Sequence, residues 1–154
     1  MATIYSASVY NGSTGKAARA IKASAPHRGA TDNIAVPSGT AINDQIIMAK
    51  VMSNAILLPS SILINTALGA SVTMDIGFLE KSANELATGL AMNTAGQKSV
   101  LAGVSTANTG KAAWELAGYS ADPKGELTIV ATIKGAATSS AGNIFQQIEW
   151  VNGT

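Results

Sequence analysis

Any reaction in this chain that needs an imidazole must use His27, because no second histidine and no cysteine occurs among its 154 residues. That excludes a thiolate nucleophile, a disulfide framework and every cysteine-ligated zinc site, and it leaves no histidine pair to share a metal. A Ser/His/acid triad would have to be built on this one residue, which lies between Pro26 and Arg28. Its simpler reading is an exposed or interface histidine. The acids beyond Asp32, namely Asp44, Asp75, Glu80, Glu85, Glu115, Asp122, Glu126 and Glu149, are scattered, and spacing alone marks no two as a converging glycosidase pair. Asp75, on the polar side of an alternating run, could hold calcium with a neighbouring loop, but an isolated Asp on a strand is more often simply solvated.

Two further strings resemble motifs and fail. Gly12-Ser13-Thr14-Gly15-Lys16 has the look of a phosphate loop, yet only two residues separate its glycines and Ala17 follows the lysine, where the motif needs four residues and Ser or Thr. The echo at Thr109-Gly110-Lys111-Ala112-Ala113 has no glycine in register. Asn11-Gly12-Ser13 and Asn152-Gly153-Thr154 match the glycosylation pattern, which matters only after secretion. The start, Met1-Ala2-Thr3-Ile4-Tyr5-Ser6, lacks the charged and apolar regions of a secretory signal, and no apolar run approaches a membrane span. The expectation is a protein made in a cytoplasm, with no cofactor, no metal, no membrane and no enzymatic activity.

Composition points to packing instead. Charged residues are 12% of the chain, about half the usual share, while 47% is apolar. Either a partner covers part of the surface, or Ser, Thr and Asn keep it wet. The charge is also uneven. Lys16, Arg19, Lys22 and Arg28 face only Asp32 in the first 32 residues, a net +3; the six remaining lysines face eight acids, a net −2. Four cations without interleaved aromatics are too sparse for nucleic-acid binding. They describe a basic arm on a nearly neutral body.

Residues 1–35 carry few large apolar side chains and read as an extended N-terminal arm, with residues 36–154 as the body. Within the arm, residues 3–10 could form a strand and residues 16–25 a short Ala-rich helix that Pro26 breaks. Strands are expected at residues 33–36, 44–51, 55–58, 62–66, 72–79, 127–134 and 143–151, with Pro37, Pro59 and Gly69 at the joints. Apolar groups alternate cleanly in residues 72–79. Ile46, Ile47, Met48 and Val51 fall on both faces of their strand, and Val130 breaks the alternation of its own, which fits strands held between two layers. In the last strand Ile144, Gln146, Ile148 and Trp150 share one face, with Phe145, Gln147, Glu149 and Val151 on the other. Asn84 could cap two helical turns through Leu86 and Leu90, weakened by Gly89, and residues 96–110 read as a long crossover. Together these give an all-β sandwich of Greek-key or jelly-roll topology.

Ser38-Gly39-Thr40 leading into a strand, the Pro59 turn, Ala67-Leu68-Gly69-Ala70, and Thr73-Met74-Asp75-Ile76-Gly77-Phe78 together resemble the small decoration, or cement, proteins of tailed-bacteriophage heads. Residues 125–133 and the closing Gln- and Trp-bearing strand are similar too. The resemblance implies a jelly-roll sandwich, assembled as a homotrimer, that clamps major capsid proteins on the outside of an icosahedral head assembled in the host bacterial cytoplasm. The arm would then lie over a neighbour, with Tyr5, Tyr10, Lys16, Arg19, Lys22 and Arg28 as its contacts. The alternative is a phage fibre or spike module that binds carbohydrate or a receptor, for which Trp114 and Tyr119 are the aromatic candidates.

Overall fold

The structure, a computed structural model, describes residues 1–5 and 27–152. They form β1 (Thr3–Tyr5), β2 (His27–Val36), β3 (Gln45–Met52), β4 (Ala55–Leu57), β5 (Ile62–Asn65), β6 (Thr73–Phe78), β7 (Ala87–Ala91), β8 (Gly96–Ser99), the helical turn α1 (Ala113–Leu116), β9 (Glu126–Lys134) and β10 (Gly142–Asn152). β2 runs antiparallel to β10, β3 to β9, β5 to β8 and β6 to β7. The chain is therefore one long hairpin with the β6–β7 turn at its tip, rolled so that its limbs alternate between two sheets. A front sheet has the order β1-β3-β9-β6-β7 and a back sheet the order β2-β10-β5-β8. This is the jelly roll, and the sandwich read from the sequence is the fold observed.

Alternation fills the space between the sheets. Ile46, Met74, Ile76, Phe78, Ile129 and Ile133 come from the front sheet and Ile34, Leu57, Leu63, Ile144 and Ile148 from the back, all buried. Each such side chain contributes about 1.5–3 kcal/mol of transfer free energy. Gln146, fully buried among them, donates from Nε2 to the carbonyl of Met48 at 2.7 Å. That carbonyl belongs to a bulge in β3, where register jumps between Ile47 and Ala49. A bulge frees a backbone group from the ladder. The amide of the opposite sheet satisfies it, so Gln146 ties the two layers together.

The same bulge explains half of the two-faced apolarity in β3. Its other half, Ile47, is the register partner of Val130, the residue that breaks the alternation of β9. Both are buried on the outer side of the front sheet, with Ala83 from the β6–β7 connection closing over them. Glu85 holds that connection down by accepting the backbone N–H groups of Phe78 at 2.9 Å, Ser82 at 2.6 Å and Asn84 at 3.2 Å. Gly77 lies under it, and a Cβ there would collide with the backbone of Ala83 and Asn84 and with the Glu85 carboxylate.

β4 and β5 are one strand interrupted, since both pair with β10, on either side of Pro59 and Ser60. Proline has no N–H to give to a ladder. Ser61 repairs the gap: its hydroxyl donates to the carbonyl of Glu149 at 3.2 Å and accepts that residue's N–H at 3.0 Å.

Several expected elements differ. The strand expected to begin at Asn33 begins at His27 and pairs with β10 along its length, so residues 27–35, read as part of the arm, lie in the back sheet. The helix expected after Asn84 is strand β7. A register shift against β6 sets Ala87 opposite Ile76 and Leu90 opposite Met74, so Leu86, just before the strand, and Leu90 both pack on the core four residues apart and imitate a helical spacing. Gly89 has a positive φ of 63° there, and its N–H is held by Asp75 Oδ1 at 2.8 Å. The crossover expected over residues 96–110 contains edge strand β8, whose Gly-Gln-Lys-Ser sequence has little strand propensity. Trp114, one of the two aromatic candidates for carbohydrate, is on α1. The expected helix at residues 16–25 lies outside the described residues.

Candidate interaction surfaces

His27 stands at the start of β2, half exposed, with Nε2 3.6 Å from Glu149 Oε2. The Ser60 hydroxyl donates to the same carboxylate oxygen. A serine, a histidine and an acid thus meet, but in an order that cannot activate the serine. In a catalytic triad the imidazole stands between hydroxyl and acid and takes the proton. Here the carboxylate stands in the middle. The Ser60 hydroxyl, then the charge of His27, with Gln147 adding a hydrogen bond, hold its pKa below the ordinary carboxylate value, so it is a weak base. The trio pins the β4–β5 joint to the first residue of β2.

Asp75 lines a shallow concavity of about 240 Å³ on the outer side of the front sheet, with Asn43, Gln45, Asn84, Thr132 and Lys134 among its walls. One carboxylate faces one lysine there, and Lys134 Nζ is occupied by Asn43 Oδ1 at 2.7 Å. Among the described residues no three acidic, histidine or cysteine side chains gather as a metal site would need. Trp114 packs against the core, and the face of the Tyr119 ring carries Lys81 Nζ at 3.7 Å from its centre. Neither ring offers the open platform on which a sugar stacks. Among the described residues no helix is long and apolar enough to cross a membrane.

The arm residues are divided. Tyr10, Lys16, Arg19 and Lys22 lie outside the described residues. Tyr5 ends β1, opposite Ile47 of β3. Arg28 is the second residue of β2, opposite Trp150 and partly buried, on the side of the strand that also carries Ile34 and Val36. It is a sheet residue, and its stem packs where a free arm cation would be in water.

The outer side of the back sheet was not singled out by any motif. Register places Asn33, Phe145, Ile64 and Gln97 in one row across four strands, and Thr31, Gln147, Ile62 and Ser99 in the next. Neither row holds a charged side chain. Phe145 is 37% exposed and its partner Ile64 is 42% exposed, the centre of an apolar spot rimmed by amides and hydroxyls. Beyond Glu149, Val151 and Ile56 carry apolar side chains to the end of the sheet, in one row with His27. The sequence did place Phe145 and Gln147 on the face away from Ile144 and Ile148. Seeing Phe145 beside Ile64 requires register, which residue types do not give.

Comparison with known proteins gives fold and little else. No family model and no curated protein matches the chain. Among solved structures, a chain of the cyanophage Pam1 capsid asymmetric unit aligns over 88% of this protein and 96% of its own length, with a TM-score of 0.57 and 14% sequence identity. What is shared at that identity is the jelly roll.

Proposed function

We propose that this protein is a structural component of a tailed-phage virion, a decoration subunit that binds the outside of the icosahedral head through the outer face of its back sheet. One observation carries the reading: two adjacent cross-strand rows on an otherwise finished sandwich hold no charge and expose Phe145 beside Ile64. An aromatic anchor with an apolar neighbour and an amide rim has the make-up of an interface core rather than of a solvated face. The fold is that of a chain from a cyanophage capsid unit, which supports a virion role, and among the described residues the one Ser/His/acid meeting is ordered so that it cannot activate the serine. The partner is the major capsid protein. Assembly as a homotrimer would multiply a modest contact per subunit into tight attachment, since each further contact forms within an already tethered complex. The arm supplies additional contacts through Tyr5, Tyr10, Lys16, Arg19 and Lys22, with Arg28 at its root. Binding of this kind stabilises an expanded head by bridging subunits and involves no reaction.

The test is co-sedimentation of the purified protein with expanded heads of its phage. Phe145→Asp combined with Ile64→Asp abolishes binding while the protein keeps its melting temperature within a few degrees. Undiminished binding by that folded double variant refutes the assignment of the face.

A further inference from the structure

We infer that β1 is a strand exchanged between copies of this chain: Thr3–Tyr5 of one subunit completes the front sheet of its neighbour by pairing with that neighbour's β3. The observation is a mismatch between the contact and its tether. β1 is three residues long and lies parallel to β3, whereas every other strand pair among the described residues is antiparallel. It is nonetheless specifically anchored. Asp44 Oδ1 accepts the N–H of Ala2 at 2.7 Å, Gln45 donates its N–H to the carbonyl of Ala2 at 3.1 Å, and Ile4 packs against the core. The dock on β3 is thus built for this segment.

The tether is far longer than that dock requires within one chain. Tyr5 sits opposite Ile47, five residues before β3 ends at Met52, and the chain enters β4 at Ala55 immediately after. β2 begins at His27 opposite Val151, whose other register partner is Ile56, so it starts at that same end of the sandwich. Five strand residues at about 3.3 Å each and a sheet spacing of about 10 Å put the two points on the order of 20 Å apart. Six or seven extended residues cover that distance. Residues 6–26 connect them, with an extended reach of about 70 Å, some threefold more than is needed. The contacts made by β1 are the same on its own β3 or on a neighbour's, which is the condition for strand exchange at little cost. A surplus of this size lets an adjacent copy be reached, and a closed ring of such exchanges locks an oligomer together. The segment has few large apolar side chains that would draw it back onto its own body.

The chain has no cysteine, so a disulfide can report the partner directly. Thr3 and Gln45 are register partners at accessible positions. Thr3→Cys and Gln45→Cys are made as two single variants, mixed, unfolded, refolded together and oxidised. Exchange gives a covalent pair joined between positions 3 and 45, identified by peptide mass, and the double variant gives covalent dimers and larger species. A double variant that closes its bond only within single chains, an absence of any 3–45 bond, or a wild-type protein that is a monomer at micromolar concentration each overturns the inference. Asp44→Ala, which removes the acceptor for Ala2, loosens the oligomer about tenfold if the strand is exchanged and leaves its mass distribution unchanged if it is not.

Discussion

The front and back sheets share one core, and their outer faces are completed in different ways. On the front face the protein covers its own apolar groups: the β6–β7 connection folds over Ile47 and Val130, and Glu85 ties it down with three backbone hydrogen bonds. What remains beside that cover is charged or polar, with Lys50, Asp75 and Lys134 among it, and Met52 and Leu79 are exposed singly towards one end. On the back face no described segment closes over Phe145 and Ile64, and the rows around them contain only neutral side chains. A chain with 12% charged residues has few to distribute, and it has left them off two adjacent rows of the back face, up to the His27–Glu149 pair. Where the described residues gather no catalytic group, the surface that the fold leaves unfinished is the place to look for function.

That contrast can be broken by exchanging the properties of the two faces. The largest effect is expected for the back face, where Phe145→Asp with Ile64→Asp lowers affinity for heads about 100-fold or more, a loss of about 3 kcal/mol, with folding stability nearly unchanged. The front face should respond in the opposite sense. Gly77→Val drives a side chain into the backbone of Ala83 and Asn84, so denaturant unfolding shows a loss of about 3 kcal/mol while the remaining folded protein binds heads normally. Glu85→Ala leaves the N–H groups of Phe78, Ser82 and Asn84 without their acceptor and costs about 2 kcal/mol, again with binding retained. If either front-face change abolishes binding at temperatures where the protein is folded, the division of labour between the faces is wrong.

The smallest effect is on pH dependence and sharpens the account of the Glu149 cluster. Hydrogen bonding by Ser60, the charge of His27 and further bonds from Gln147 and His27 depress the Glu149 pKa in the folded state below its ordinary value of 4.5. Asp44 is lowered from 3.8 by the N–H groups of Ala2 and Ala41, and Asp122 from 3.8 by the Ser53 hydroxyl and the Lys124 N–H. A depressed folded pKa means that stability is fully present above the unfolded value and is lost as pH falls through the folded one. Stability should therefore be flat above about pH 5 as far as these groups are concerned and decline below it. Ser60→Ala should shallow that decline and lower stability slightly at neutral pH. Equal acid slopes for the variant and the wild type would show that Ser60 does not act on Glu149.

The strands were legible because period-two alternation survives in β6, β9 and β10, where one side meets the core and the other meets solvent. The two lapses in that pattern, Ile47 and Val130, were visible as lapses, yet only register shows that they face each other under Ala83. β7 was hidden because across its bulge Leu86, just before the strand, and Leu90 both pack on the core, four apart, the spacing of a helix. β8 was hidden because pairing with β5, rather than side-chain propensity, makes Gly-Gln-Lys-Ser a strand. The surface most informative about function was half legible. Phe145 was assigned to the outer side, but Ile64 comes from a strand some eighty residues earlier in the chain, and no local pattern joins them. Cations drew attention to the arm, while the absence of charge, which is harder to notice, marked the back face.

Hydroxyl-radical footprinting of the protein free and bound to heads asks the central question of the side chains themselves. Phe145 and Ile64 should lose most of their labelling on the head, while Met52, 44% exposed at the end of β3, and Leu79, 42% exposed beside the β6–β7 connection, stay labelled as in free protein. Protection of Met52 and Leu79 with Phe145 still fully labelled would contradict the account.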